Sequence, residues 1–357
     1  MITSLKNCSE IQTPALVFFP KIIRQNIEAM IQIAGDPHRL WPHIKTHKSK
    51  EIIRIQKEYG INKFKCATLH EAHILAEEGA TDILVAMQLH GQNLKNYLSL
   101  PEKYPVSTFY TLIDNMDTLK EMESYKKEIH VWMDLNIGMN RTGIVPGKKA
   151  FDLYSAIKES HFLQFSGLHA YDGHIREKDY KERKNQCDTG FEILLDFNEK
   201  YGIQAGIIAG GSPTFPYHAL RKNVFLSPGT IPLWDYGYAG LWPESPFIPA
   251  ALLATRIVSK PQPDLLCLDI GHKAVAAEMP FPRVKVLELE DTATQISQSE
   301  EHLVIQTTQA ENFKTGDMLT AIPLHICPTV SRYNKVYIAD EESIKGMWNI
   351  DAQSYFY

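Results

Sequence analysis

The segment KFKCATLHEAHILAEEGATDILVA, Lys63–Ala86, holds two short apolar runs around a helical pattern. Lys63–Ala67 and Asp82–Ala86 have the length of strands, and Leu69, Ala72, Ile74 and Leu75 recur between them at helical spacing. That is a strand–helix–strand unit, and similar units flank it. Upstream, Pro14–Phe19 and Leu40–Lys45 are strand-like, with Ile22, Ile23, Ile27, Met30 and Ile31 at helical spacing between them and Ile52, Ile53 and Ile55 after them. Downstream come Ser107–Ile113, Ile129–Leu135, Leu163–Ala170 and Gly206–Ala209. Eight such runs, mostly followed by helices and with no break in composition, predict an α/β fold, a (β/α)8 TIM barrel. An open, doubly wound sheet is the alternative.

The texture changes after about Pro249. Ala250–Val258, Leu265–Asp269, Arg283–Glu290, His302–Thr307, Met318–Ile322 and Lys335–Ile338 are strand-like, with few helical stretches between them. The expected organisation is a barrel over residues 12–245 and a C-terminal β-rich domain over 246–357, joined by 1–11. The Pro/Gly-rich segment Phe225–Pro249 is the expected passage between them.

Composition narrows the function. The chain has 357 residues, 44% of them hydrophobic and 22% charged, with a formal net charge of −5. This is long enough for two domains and too apolar for disorder. No apolar run approaches the ~20 residues of a membrane span. No basic excess serves nucleic acid. The N-terminal residues lack the apolar core of a signal peptide. Cys8, Cys66, Cys187, Cys267 and Cys327 are odd in number and scattered, which reads as thiols in a reducing cytoplasm rather than a disulfide framework.

In a barrel, chemistry sits at the C-terminal ends of the strands. The second run ends in Pro42-His43-Ile44-Lys45-Thr46-His47-Lys48. Taken alone this is a solvated basic loop. At a barrel mouth, a lysine among other cations has a lowered pKa and can form a Schiff base. The sixth ends in Asp134-Leu135-Asn136-Ile137-Gly138-Met139-Asn140-Arg141-Thr142-Gly143, where glycines bracket an arginine suited to an oxyanion. Gly210-Gly211-Ser212-Pro213-Thr214 and Ser227-Pro228-Gly229-Thr230 are two late loops able to cradle phosphate. In Leu324-His325-Ile326-Cys327-Pro328-Thr329 a His and a Cys stand two apart, on one face if the segment is a strand, and such a pair suits Zn²⁺.

Taken together and in this order, these motifs resemble the fold-type III pyridoxal-phosphate enzymes, and among them the D-threonine aldolase / D-serine dehydratase group. The resemblance covers nearly the whole chain. It implies Lys45 as the Schiff-base lysine, with His43 beside it at the cofactor. It implies Arg141 at the cofactor's phenolic oxygen, and Gly211, Ser212, Gly229 and Thr230 at its phosphate. Tyr171 and His174, in Gly167-Leu168-His169-Ala170-Tyr171-Asp172-Gly173-His174, fall where the family places a cofactor-contacting tyrosine and polar catalytic residues. His325 and Cys327 match the group's metal pair, for Zn²⁺ or Mn²⁺; the cysteine looks more like the zinc-dependent dehydratases.

The resemblance implies a lyase on small D-3-hydroxy amino acids, working as a homodimer. Retro-aldol cleavage to glycine and an aldehyde is the first expectation, and dehydration to a 2-oxo acid and ammonia the alternative. An amino-acid racemase would need no metal pair. A non-enzymatic cofactor-binding protein would have no C-terminal domain.

Overall fold

The computed structural model describes residues 10–341 and 343–354. Cys8 lies outside them. The chain divides into two compact units: one holds residues 30–45, 53–229 and 354, the other 10–29, 46–52 and 230–353.

The first strand of the chain, β1 (Ala15–Phe18), belongs to the second unit. Seven parallel strands in consecutive order build the first: β2 (Lys63–Cys66), β3 (Asp82–Gln88), β4 (Thr108–Ile113), β5 (Ile129–Leu135), β6 (Leu163–Ala170), β7 (Ile207–Ala209) and β8 (Val224–Leu226). The eighth position is closed by residues 40–43. Leu40 bridges Leu226 on β8, and His43 bridges Lys65 on β2. Trp41 N donates to Leu226 O at 2.8 Å and Lys65 N to Pro42 O at 3.0 Å. Expected as a full strand, Leu40–Lys45 stops short of one because Pro42 has no N–H for a ladder and Ile44–Thr46 turns into a 3₁₀ helix. The fold is a TIM-like barrel with a C-terminal β-rich domain.

Local chemistry sets the barrel's units. Thr68 caps the helix Leu69–Glu77 by accepting from Glu71 N at 3.1 Å, and the Glu71 carboxylate reaches back to Ala67 N at 2.6 Å. On β2, Phe64 and Cys66 are fully buried, and the alternate residues Lys63 and Lys65 point the other way. The lumen is layered. Trp41, Leu84, Leu112, Trp132 and Ile208 pack as one apolar cluster, with Trp41 and Trp132 in edge contact at 5.9 Å. Lys63 lies over the rings of Trp41 and Phe225. Two residues further along their strands stand the polar residues Lys65, Asp134 and His169.

In the second unit β1 pairs antiparallel with β9 (Ala251–Ser259) and parallel with a late strand, Lys335–Asp340. Pro14–Phe19 is therefore not a barrel strand. The four residues of β1 are buried on both faces, and such a run suits either core, so only pairing assigns it. Val224–Leu226, which overlaps the start of the expected passage Phe225–Pro249, is the barrel's last strand. The unit continues with β10 (Leu265–Leu268), β11 (Val284–Val286), β12 (Ala293–Gln298), β13 (Leu303–Thr307), β14 (Met318–Pro323), β15 (Lys335–Asp340) and β16 (Ser343–Asn349). β12 and β16 end the sheet order and are mostly exposed, so their sequences lack the apolar signal that marked the others.

Candidate active site

Lys45 lies in the 3₁₀ turn after the closing segment, with an exposed side chain, and its N–H donates to His43 Nδ1 at 3.2 Å. Beyond β5 the loop to Gly143 is drawn tight. Asn136 Oδ1 accepts from Gly138 N and Asn140 N, each at 3.1 Å. Gly143 has φ +94°, and a Cβ there would lie 2.7 Å from Asn136 N, so glycine is required for this return. The loop carries Arg141, whose guanidinium carbon lies 5.0 Å from the centre of the Tyr171 ring.

Tyr171 follows β6. Gly211, beyond β7, faces it so closely that a Cβ would come 3.1 Å from Tyr171 Cε2. The two glycine loops are tied together: Gly211 N donates to Thr214 Oγ1 at 3.0 Å, and Gly229 N to Ser212 Oγ at 3.2 Å. Beside them the buried Ser227 Oγ has no hydrogen-bond partner among the described residues. A buried hydroxyl left open next to glycine backbone fits the acceptor oxygens of a phosphate. His174 lines an open cleft of about 360 Å³ with Glu182, Asn185, Gln186 and Thr189.

Beneath the mouth, three polar side chains form a chain across the lumen. Lys65 Nζ on β2 lies 2.8 Å from His169 Nε2 on β6, and His169 Nδ1 lies 2.6 Å from Asp134 Oδ1 on β5. Gln88 Nε2 donates to Asp134 Oδ2 at 3.0 Å and to Asp114 Oδ2 at 2.9 Å, and Asp114 accepts from Gly143 N. The network thus runs from Lys65 to the arginine loop. Burial and then the Lys45 charge push Lys65 down to about 7, with Asp134 opposing. Burial, then the Lys65 charge, also lowers His169. Burial raises the Asp134 carboxyl, but the charge and hydrogen bond of His169 outweigh it and hold it below its usual range.

Asp172, the residue after Tyr171, is a second hub. Its Oδ1 accepts from Thr214 Oγ1 at 2.7 Å, and its Oδ2 lies 2.8 Å from His218 Nε2. Cys187 Sγ is 3.3 Å from the same nitrogen. The donor atoms of Asp172, Cys187 and His218 lie within 4.8 Å of one another, close enough for a metal. As they stand they are hydrogen-bonded, and Arg221 Nη1 donates to His218 Nδ1 at 2.8 Å, so the other ring nitrogen carries the proton given to Asp172.

In the second unit His325 and Cys327 are together, but not on a strand. β14 ends at Pro323, Asp235 Oδ2 accepts from Ile326 N at 3.1 Å, and His325 caps the short helix Ile326–Val330. Pro328 stands in that helix's first turn, where its missing N–H costs nothing. His325 Nδ1 lies 2.5 Å from Glu278 Oε1, and His325 hydrogen-bonds Cys327. Burial pushes the Cys327 thiol up, but the hydrogen bond and charge of His325 and a hydrogen bond from Thr46 bring it below the usual thiol range. Burial lowers His325, yet Cys327 and Glu278 raise it to about 9. An imidazole backed by a carboxylate beside a thiolate-forming cysteine is a donor set that fits a divalent metal. Thr46, next in the chain after Lys45, lies 3.1 Å from Cys327 Sγ through its hydroxyl, and Thr230 Oγ1 lies 3.6 Å from the same sulfur.

The sequence motifs give no role to Lys65, Asp134, Asp172 or Glu278, whereas Ser227 stands in one of the two loops expected at phosphate. For Lys65 the signal was present. Alternation on β2 puts its lysines on one face, and in a barrel that face is the lumen rather than solvent.

Residues 21–226 match the family described as "Alanine racemase, N-terminal domain", and residues 250–339 match "Putative serine dehydratase domain". A D-threonine aldolase of Arthrobacter sp is 24% identical over 97% of this chain and 94% of its own length. A D-serine dehydratase of Dictyostelium discoideum is 23% identical over 94% of this chain and 95% of its own. The crystal structure of D-threonine aldolase from Filomicrobium marinum superposes with a TM-score of 0.87 at 21% identity, covering 100% of this chain and 99% of that one. With its barrel and its C-terminal domain both matched, the chain belongs to the alanine racemase N-terminal domain family, among its D-threonine aldolase- and D-serine dehydratase-like lyases.

Proposed function

We propose that the protein is a pyridoxal-phosphate- and divalent-metal-dependent lyase of D-3-hydroxy amino acids that cleaves the Cα–Cβ bond to give glycine and an aldehyde. One observation supports the reading over a racemase: His325 and Cys327 lie together and hydrogen-bonded, with the Glu278 carboxylate on the His325 ring. Bound pyridoxal phosphate supplies an electron sink for the substrate's Cα, and Zn²⁺ or Mn²⁺ supplies a Lewis acid for its 3-hydroxyl.

The chain's own residues do the rest. Lys45 anchors the cofactor, and His43 orients the turn that carries it. Tyr171 would hold the cofactor ring, and Arg141 would bind its phenolic oxygen. Gly211, Ser212, Gly229 and Thr230, with Ser227, hold the phosphate. His174 takes or returns a proton at the substrate. The second reading is dehydration to a 2-oxo acid and ammonia, and Cys327 favours it, because a thiolate selects the softer Zn²⁺.

Incubating D-threonine and D-serine with the enzyme, pyridoxal phosphate and Zn²⁺ or Mn²⁺ separates the readings. Glycine with acetaldehyde from D-threonine supports the first, and a 2-oxo acid with ammonia supports the second. Conversion to the L-amino acid, unaffected by verified metal removal, overturns both in favour of a racemase.

A further inference from the structure

We propose that Lys65, held across the barrel lumen by the His169–Asp134 pair, is a proton-exchanging amine that couples occupation of the mouth by an anionic phosphate-bearing aromatic ligand to uptake of a proton by the protein. The inference rests on the proposed function, since the ligand is the cofactor that reading invokes, but it concerns a residue to which that reading gives no role.

The geometry argues for exchange rather than a fixed ion pair. A buried lysine normally meets a carboxylate. Lys65 is only 4% exposed, and its amine meets an imidazole nitrogen instead. Asp134 accepts at the opposite ring nitrogen, which fixes the tautomer with a bare Nε2 toward Lys65. That nitrogen can accept a hydrogen bond from a neutral amine or from an ammonium, so both states of Lys65 keep their partner.

Every group facing Lys65 bears on the balance. Lys45 in the turn after the closing segment and Arg141 after β5 oppose its charge. Asp134 on β5 and Asp172 after β6 favour it, while His169 on β6 is held neutral by burial. His43 bridges its backbone, and the Tyr171 ring lies 5.6 Å from the amine. Burial and these charges together leave the amine titrating at about 7. The same Tyr171 ring is the surface proposed for the cofactor. Negative charge brought within about 7 Å favours the ammonium by more than tenfold. Above neutral pH the empty site therefore holds a neutral Lys65, and the occupied site a charged one.

The test uses the full chain freed of cofactor and two ligands. Pyridoxal phosphate, followed by absorbance and borohydride trapping, reports whether the mouth is the cofactor site. Pyridoxine 5′-phosphate, which has no aldehyde and so condenses with no amine, is then titrated calorimetrically in buffers of different ionisation enthalpy. At pH 8 the wild type is expected to take up more than about half a proton per bound ligand, falling toward zero at pH 6, where Lys65 is already charged. Its affinity falls as pH rises above 7.

Lys65→Met and Lys65→Arg are expected to bind with no such uptake at pH 8, and Lys65→Arg to keep the affinity that Lys65→Met loses. Inorganic phosphate at saturating concentration, which lacks the aromatic anion, is expected to give less than half the wild-type uptake. Uptake equal in wild type and both variants, or absent from the wild type while pyridoxal phosphate still binds, overturns the coupling and leaves the proposed function standing. Uptake with inorganic phosphate as large as with pyridoxine phosphate overturns the aromatic part of the claim. A chain that takes neither vitamin phosphate overturns both proposals.

Discussion

Lys45 and Lys48 stand three apart in the basic segment, and their surroundings separate them. Lys48 Nζ donates to Ala352 O at 3.2 Å, and its carbonyl accepts from Ala352 N, so this side chain ties down the chain's C-terminal turn. Lys45 is exposed in its turn. Borohydride reduction of the cofactor-loaded protein is therefore expected to leave its label at Lys45. Lys45→Ala should lose the label in a peptide map, and Lys48→Ala should keep it with a lower melting temperature. Cysteine reactivity gives a second test at this scale. Cys327 lies below the usual thiol range, whereas burial, then the Asp172 charge, pushes Cys187 up to about 12. In metal-stripped protein at pH 7, iodoacetamide should modify Cys327 well before Cys187, and Zn²⁺ should protect it. Equal rates with and without Zn²⁺ would count against the His325–Cys327 site.

Between residues and the whole lie the loops that follow the barrel strands, and Asp172 governs two of them. It joins the turn after β6 to the Gly211 loop through Thr214, and to the helix Phe215–Ala219 through His218. Asp172→Ala strands a buried hydroxyl and a buried imidazole, at a cost of about 2–4 kcal/mol. The measurement is urea unfolding, together with pyridoxal-phosphate affinity, which should weaken as the Gly211 loop loosens. Burial raises the Asp172 carboxyl, but the His218 and Thr214 hydrogen bonds bring it below its usual value. Its folded value lies below its unfolded one, so its contribution is present above the unfolded value near 3.8 and disappears as pH falls through the folded value. The difference between wild type and Asp172→Ala should accordingly narrow only in strong acid.

For the molecule as a whole, Lys65 is a burden on stability. A lysine lowered from 10.5 to about 7 costs the fold about 5 kcal/mol at neutral pH relative to one in water. The sign follows from linkage. Above 10.5 neither state is protonated and there is no cost. As pH falls toward 7 the unfolded chain binds the proton and the folded chain does not, and below 7 the cost is complete. Lys65→Met is expected to stabilise the cofactor-free protein by about 2 kcal/mol, after loss of the His169 hydrogen bond. The gain should shrink as pH rises toward 10. A lower melting temperature for Lys65→Met at pH 7 would contradict this. We also propose a homodimer. The segment we assign to the contact is Asp269-Ile270-Gly271-His272-Lys273. Asp269 itself is committed within its unit, to Thr13, Thr255 and Arg256 N, which leaves His272 and Lys273 exposed. Light scattering showing a fully active monomer would remove the dimer.

The repeating strand–helix pattern, the two glycine loops, the arginine loop and the His–Cys pair were all legible along the chain, because each is a local arrangement with a local physical signature. The pairing of Ala15–Phe18 was not: an apolar run buried on both faces carries no mark of which sheet it will join. Nor was the partial strand at 40–43, where Pro42 interrupts a ladder that the apolar pattern alone would continue. His325 and Cys327 were expected together on a strand face and come together on a helix cap, through a hydrogen bond from Ile326 N to Asp235, 91 residues away in sequence. Lys65, Asp134 and His169 lie on three different strands, and nothing in their spacing relates them. Closing the barrel turned the polar face of β2 from apparent solvent into lumen, and burial there is what makes an ordinary lysine titrate near neutrality.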